Sequence, residues 1–213
     1  IAAGEIGCQK CQADKDVRRA KITSQRETLL DQVKLPIEHK RADFSDWHLY
    51  GDEKVRARLI KIATFAKQYA IDYKQGLDRP CILLSGKTGT GKTKIACNIA
   101  NELIRHNCNP RMTVLFKRSS DIQNKFKELC DRNSNKSKAA FMNELASATV
   151  LIIDEVGEGD TGYTATTANK DRELLSAVID RRYSLGLPTI ITTNMTDDDF
   201  YNHIGDRATD RLR

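Results

Sequence analysis

The sequence predicts an α/β protein in three layers: a mostly parallel central sheet flanked by helices, preceded by a short helical N-terminal segment. Three observations carry that expectation. Short apolar runs, "CILL", "TVLF", "TVLII" and "PTII", recur along the chain. Strands of a parallel sheet read this way because both their faces are buried. Longer stretches of helical character separate the runs, and strand–helix alternation is what builds a parallel sheet. The first run leads straight into the glycine-rich "GKTGTGKT", a strand–loop–helix passage.

Each element can be read in order. Residues 14–34 are polar, helix-compatible and poor in apolar positions, as in a linker helix, and Pro36 ends the stretch. Residues 53–73 place Val55, Leu59, Ile62, Ala66, Tyr69 and Tyr73 on one helical face. "CILLSG" is a strand, and residues 92–105 form a helix after the glycine-rich turn. A loop with Pro110 leads to the strand "TVLFK" and a helix from Ser120. "DRNSNKSK" reads as a polar loop before a short helix over residues 139–148. The strand "TVLIID" opens into the Gly/Thr-rich loop "EVGEGDTGYTATTAN". Residues 170–185 form a helix, "PTIITTN" a strand, and "TDDDFYNHI" starts a further helix. Near the end, Arg207 and Arg211 stand four apart, so on a helix they share a face.

Composition narrows the classes. Hydrophobic residues make up 39% of the 213 residues, enough for a core, and charged residues 30%. No apolar run approaches the roughly 20 residues that span a bilayer, and the first residues hold no signal-like apolar stretch. A cytoplasmic protein without a membrane partner is the expectation. The chain opens on Ile1 rather than methionine, which suggests a piece of a longer one. Cys81, Cys97, Cys108 and Cys130 lack the spacing of a disulfide framework and read as reduced thiols. The net charge of +6 is uneven: residues 81–140 carry 12 Lys/Arg against 4 Asp/Glu, residues 141–213 carry 7 against 13. A local basic excess is the footprint of a nucleic-acid binder, or else a solvated helix face.

"GKTGTGKT" is Gly86, Lys87, Thr88, Gly89, Thr90, Gly91, Lys92 and Thr93. Glycines at this spacing let backbone N–H groups turn inward onto phosphate oxygens. Lys92 supplies charge to the β and γ phosphates, the Thr93 hydroxyl suits Mg²⁺, and the following helix adds its N-terminal dipole. "TVLIIDEVG" delivers Asp154 and Glu155 at a strand's C-terminal end, where open α/β sheets bind ligands. Asp154 is expected to complete the Mg²⁺ shell, and Glu155 to polarise a water for attack on the γ-phosphate. Asn194 ends the next strand and could hold that water or the phosphate, or simply begin a turn.

Four segments then occur in order: "LLSGKTGTGKTKIACNIANEL", "TVLIIDEVG", "LLSAVIDRRYSLGLPTIITTN" and "IGDRATDRLR". Together they resemble the bacterial and phage helicase-loader ATPases, the DnaC-like branch of the AAA+ superfamily. IstB-type transposition helper ATPases share most of the pattern. The resemblance covers residues 39–213 as an ATPase domain, with residues 1–38 as an N-terminal segment. It implies ATP and Mg²⁺ as cofactors and ATP lying between subunits of a homo-oligomer. Arg211 matches the arginine that reaches the neighbour's γ-phosphate, and Arg207 supports it. Single-stranded DNA and a replicative hexameric helicase are the implied partners. A transposase with duplex DNA, or a DNA-binding switch with little turnover, are the alternative readings. The family carries a further strand after this arginine segment, so the sheet is expected to lack its last strand.

Two weaker patterns complete the reading. In "CQKC", Cys8 and Cys11 have the spacing of half a zinc site and resemble part of a zinc module of phage relatives. Four ligands are needed, and His39 and His48 are poor substitutes, so free thiols are expected. For DNA, the candidates are Lys117 and Arg118 at a strand end, Lys125, Phe126 and Lys127 on the next helix, and Tyr163 in the Gly/Thr-rich loop. Lysines meet phosphates and aromatics stack on bases. Phe126 fits the core of an amphipathic helix equally well.

Overall fold

Among the described residues, four strands form one sheet, β1 (Ile82–Ser85), β2 (Val114–Arg118), β3 (Val150–Val156) and β4 (Thr189–Thr193), all parallel and ordered β1-β4-β3-β2. The computed structural model describes residues 9–33, 35–40, 44, 52–75, 81–107, 112–131, 135–157 and 165–212. Among the described residues, eight α-helices accompany the strands: α1 (Gln9–Gln32), α2 (Glu53–Gln75), α3 (Lys92–Asn107), α4 (Ser119–Asp131), α5 (Asn135–Ser147), α6 (Ala165–Ser184), α7 (Asp197–Ile204) and α8 (Asp206–Leu212).

The strand alternation sorts the core into two layers. Val150 and Ile152 of β3 join one buried cluster with α2 and α3, while Leu151 and Ile153 join another with α4 to α8. Successive strand residues point to opposite faces, so an unbroken apolar run feeds both layers. The three-layer arrangement read from the sequence is the one observed. α3 lies deepest, with Ile95, Ile99, Leu103 and Ile104 at most 4% exposed. Cys97 sits among them, and burial pushes its thiol up to about 12. Cys81, Cys97 and Cys130 are free thiols.

Three helices differ from expectation, one in its packing and two in where they begin. α1 is exposed along most of its length, as a linker helix would be, but Leu29 and Val33 enter the first cluster together with Leu35. α5 begins at Asn135, inside the run read as a polar loop, and α6 begins at Ala165, inside the Gly/Thr-rich run. Both first turns lack apolar periodicity, so nothing in the pattern announces them. Between α7 and α8 the chain turns at Gly205, whose φ of +84° favours glycine.

Arg182 of α6 is fully buried and, among the described residues, has no carboxylate partner. Its guanidinium donates to the carbonyls of Leu145, Ala146 and Ala148 at 2.9, 3.3 and 2.7 Å, to Pro188 at 2.6 Å and to Thr189 Oγ1 at 3.0 Å. Burial lowers its pKa to about 10, so it stays charged at neutral pH. It ties the end of α5 to the start of β4. Arg182→Lys is expected to lower stability by about 3 kcal/mol or more, because one ammonium cannot reach both elements and each stripped acceptor costs about 1–3 kcal/mol. A urea melt checks this.

Candidate functional site

Because all four strands are parallel, their C-terminal ends share one edge, and the phosphate loop lies there between β1 and α3. Gly86 N–H donates to the Thr193 carbonyl at 3.2 Å, joining the loop to the end of β4. Gly89 and Gly91 have φ of +81° and +84°, left-handed values that a side chain would strain. The Thr90 hydroxyl closes the turn on the Lys87 carbonyl at 2.8 Å. α3 starts at Lys92, so its unpaired N–H groups face the hollow of the loop.

Lys92 Nζ donates to the carbonyls of Gly86 and Lys87 at 2.8 and 3.0 Å and to Asn194 Oδ1 at 2.5 Å. Asn194 Nδ2 in turn donates to Thr88 Oγ1 at 3.0 Å. The amide expected to sense phosphate is thus held against both ends of the loop.

Asp154 is 1% exposed, and its Oδ1 accepts from Thr93 at 3.0 Å and Thr192 at 2.6 Å. The β3–β4 register shifts between Ile153 and Val156, and Glu155 takes φ +59°. This irregularity separates two adjacent carboxylates: Asp154 turns into the sheet, and Glu155 turns out with its side chain 41% exposed. Thr192 also accepts the Glu155 N–H at 2.9 Å, so one hydroxyl orients both acids. Arg118 Nε stands 3.7 Å from Glu155 Oε2, a loose pair.

A cavity of about 340 Å³ is lined by Thr88, Gly89, Gly91, Lys92, Thr93, Lys94, Glu155, Thr192, Asn194 and His39. His39 belongs to a 3₁₀ turn, Ile37–His39, whose last carbonyl accepts from Asn101 Nδ2 at 3.2 Å. Among the described residues, Arg207 and Arg211 are not part of this lining. They lie on α8, where both face Asp180 of α6. The Thr93 hydroxyl and the Asp154 carboxylate are hard oxygen donors in direct contact, 3.0 Å apart. That suits Mg²⁺, which keeps waters and phosphate oxygens as its other ligands.

The sequence left Thr192, His39 and Asp180 out of the site. Thr192 is one threonine of three in "TIITTN", and only strand register reveals which one meets Asp154. The DNA candidates have varied surroundings. Lys117 pairs with Glu144 at 3.5 Å, and Lys125 with Glu128 at 2.9 Å. Lys127 is exposed, and Phe126 is half-buried against the second core cluster. Tyr163 and Cys8 lie outside the described residues, as does the side chain of Cys11.

A family model for IstB-like ATP binding proteins matches residues 11–211. The chain belongs to this family. Within its wider relations, the replicative helicase loader DnaC of Escherichia coli K12 is 29% identical over 175 residues. That stretch is 82% of this chain and 64% of DnaC, so the chain spans less than two thirds of that relative. Solved structures agree on the fold. A crystal structure of DnaI superposes with a TM-score of 0.63 at 23% identity, covering 89% of this chain and 92% of that one. The DnaC helicase loader structure gives 0.59 at 19%, covering 83% and 94%. This IstB-like chain therefore has the AAA+ type of nucleotide-binding fold, and the resemblance to DnaC-like loaders holds. Among the described residues, no helix is long and apolar enough to cross a membrane.

Proposed function

We propose that this chain is an ATP-hydrolysing loader that places a ring-shaped replicative helicase on single-stranded DNA in the cytoplasm, acting as an oligomer with ATP between subunits. The observation that carries the ATPase reading is the frame around the loop. Lys92, Asn194 and Thr88 are hydrogen-bonded on one side, Thr93, Asp154 and Thr192 on the other, and Glu155 lines the cavity between. The helicase part is supported by the 29% identity to DnaC.

On binding ATP, Lys92 exchanges loop carbonyls for β- and γ-phosphate oxygens, while the loop and α3 N–H groups cradle the chain of phosphates. Thr93 and Asp154 would hold Mg²⁺, which neutralises phosphate charge. Glu155 accepts a proton from the attacking water, and Asn194 fixes water and γ-phosphate relative to each other. Arg211 of a neighbouring copy meets the charge that develops on the transferred phosphoryl group.

Lys92→Ala is expected to weaken ATP binding about ten- to a hundredfold, the equivalent of about 1.5–3 kcal/mol for a charged hydrogen bond. A calorimetric titration measures it, and unchanged affinity would move the phosphate site elsewhere. The loader reading is tested by mixing the chain with the replicative helicase encoded in the same genome. Co-elution, and ATP-dependent transfer of helicase onto single-stranded DNA, are expected. Co-elution with a transposase instead would favour transposition, the reading that the IstB-like family model keeps open.

For DNA, the reading rests on the exposed lysines of α4 rather than on Phe126. Reversing Lys125 and Lys127 to Glu is expected to weaken single-stranded DNA binding and flatten its salt dependence by about 0.7 per lost phosphate contact. An unaltered slope in a fluorescence titration would make these lysines ordinary surface.

A further inference from the structure

One face of α6 reads Arg172, Ser176, Asp180 and Tyr183, spaced so that the four side chains form a single stripe. Each of them touches the α7–α8 segment. Arg172 Nη2 donates to the Asn202 carbonyl at 2.7 Å, and its guanidinium stands 3.1 Å from where a Cβ on Gly205 would be. Ser176 Oγ donates to the Ile204 carbonyl at 2.8 Å. Asp180 Oδ2 lies 2.6 Å from Arg207 Nε, and its Oδ1 lies 3.7 Å from Arg211 Nε. The Arg211 guanidinium carbon stands over the Tyr183 ring, 4.7 Å from its centre.

α8 has seven residues, too few to hold a side chain in place by its own helicity. The stripe on α6 supplies what the helix lacks. Asp180, only 20% exposed at its side chain, fixes the first turn of α8 through Arg207. It does not capture Arg211, since 3.7 Å is beyond hydrogen-bond reach. Tyr183 supports the Arg211 plane through its ring face, an interaction that uses none of the guanidinium N–H donors. Among the described residues, Arg211 donates its one hydrogen bond to Asp210, at 3.1 Å, a carboxylate that is 77% exposed and easily exchanged. Tyr183 is itself 53% exposed, so this support lies at the chain's surface.

We propose that Asp180 and Tyr183 are positioning residues that set where Arg211 stands when it is presented to ATP bound by a second copy of this chain. The proposal rests on the reading of Arg211 as an arginine acting on a neighbour. The opposite role, in which Asp180 withholds the arginine, predicts faster turnover when the carboxylate is removed.

The test uses the full chain with Asp180→Asn, Tyr183→Ala or Tyr183→Phe, assayed for ATP affinity, thermal unfolding and turnover on single-stranded DNA. Asp180→Asn and Tyr183→Ala are expected to lose turnover about ten- to a hundredfold with ATP affinity unchanged, since a misplacement near 1 Å can cost about a hundredfold. Tyr183→Phe keeps the ring face and recovers what Tyr183→Ala loses. Mixing separates positioning from folding. Glu155→Gln offers a sound Arg211 but no competent site, so adding it to Asp180→Asn raises turnover above either alone. Adding Arg211→Ala to Asp180→Asn does not, because neither chain presents a well-placed arginine. Wild-type or faster turnover in both Asp180→Asn and Tyr183→Ala overturns the proposal, as does the same response in the two mixtures. A control mixture of Arg211→Ala with Glu155→Gln isolates the premise. No rise there sinks the neighbour-acting arginine itself, whereas a rise there without the Asp180→Asn asymmetry sinks only the positioning roles.

Discussion

Glu155→Gln is expected to leave ATP bound and to slow its hydrolysis by about 10²–10⁴, the usual share of a positioned general base. The substitution is close to isosteric, so shape, loop and Mg²⁺ ligands stay in place. Its cost elsewhere is small. The φ of +59° at this position is borne by either side chain, and the Glu155 N–H remains on Thr192 Oγ1. The pair with Arg118 is long and solvent-exposed, so its loss changes stability little. What disappears is the ability to take a proton from water. Single-turnover hydrolysis and an ATP titration on the same sample check both halves. Near-normal turnover would show that another group of the cavity positions the water.

The phosphate loop and the acidic strand end were legible in the sequence for a physical reason. Both are local devices: in the loop, glycines, a lysine and a hydroxyl follow a strand within a few residues, and in the strand end two acids close an apolar run, so neither needs a distant partner to be recognised. The sheet was equally legible, because burial on both faces writes an apolar run into each strand. The parts that could not be read depend on register. Thr192 matters only because β4 lies beside β3 at the point where the irregularity turns Asp154 in and Glu155 out. Arg181 and Arg182 are adjacent in the last turn of α6, yet Arg182 is the one that enters the core, meeting the carbonyls of Leu145 and Pro188 and the Thr189 hydroxyl. Asp180 lies two residues before it, and the structure alone pairs it with Arg207 across two helices. Phe126 shows the converse. Its neighbours Lys125 and Lys127 suggested nucleic acid, but its place on the amphipathic α4 turns the ring toward the second cluster.

Arg211→Ala is expected to leave ATP binding to the isolated chain intact and to remove most DNA-stimulated hydrolysis. The expectation comes from placement. Arg211 is outside the cavity of its own chain, and its side chain is half-buried with the guanidinium over the Tyr183 ring. Within one molecule it has no phosphate to meet. A guanidinium reaching a transferring phosphoryl group is worth about 10³–10⁵ in rate in GTPases, so even a much smaller loss is measurable. The decisive form mixes two inactive proteins. Arg211→Ala has a sound site and no arginine to offer; Glu155→Gln binds ATP and offers the arginine but cannot use water. In a ring built from equal amounts, about a quarter of the head-to-tail interfaces join a sound site to a sound arginine. Turnover should therefore climb toward about that fraction of the wild-type level, and follow the mixing ratio with a maximum near equality. An arginine acting within its own chain gives no such recovery, because every molecule in the mixture lacks one of the two groups. If the proteins co-assemble, as shown by light scattering, and turnover still does not rise, Arg211 is helix-end charge resting on Tyr183 and nothing more.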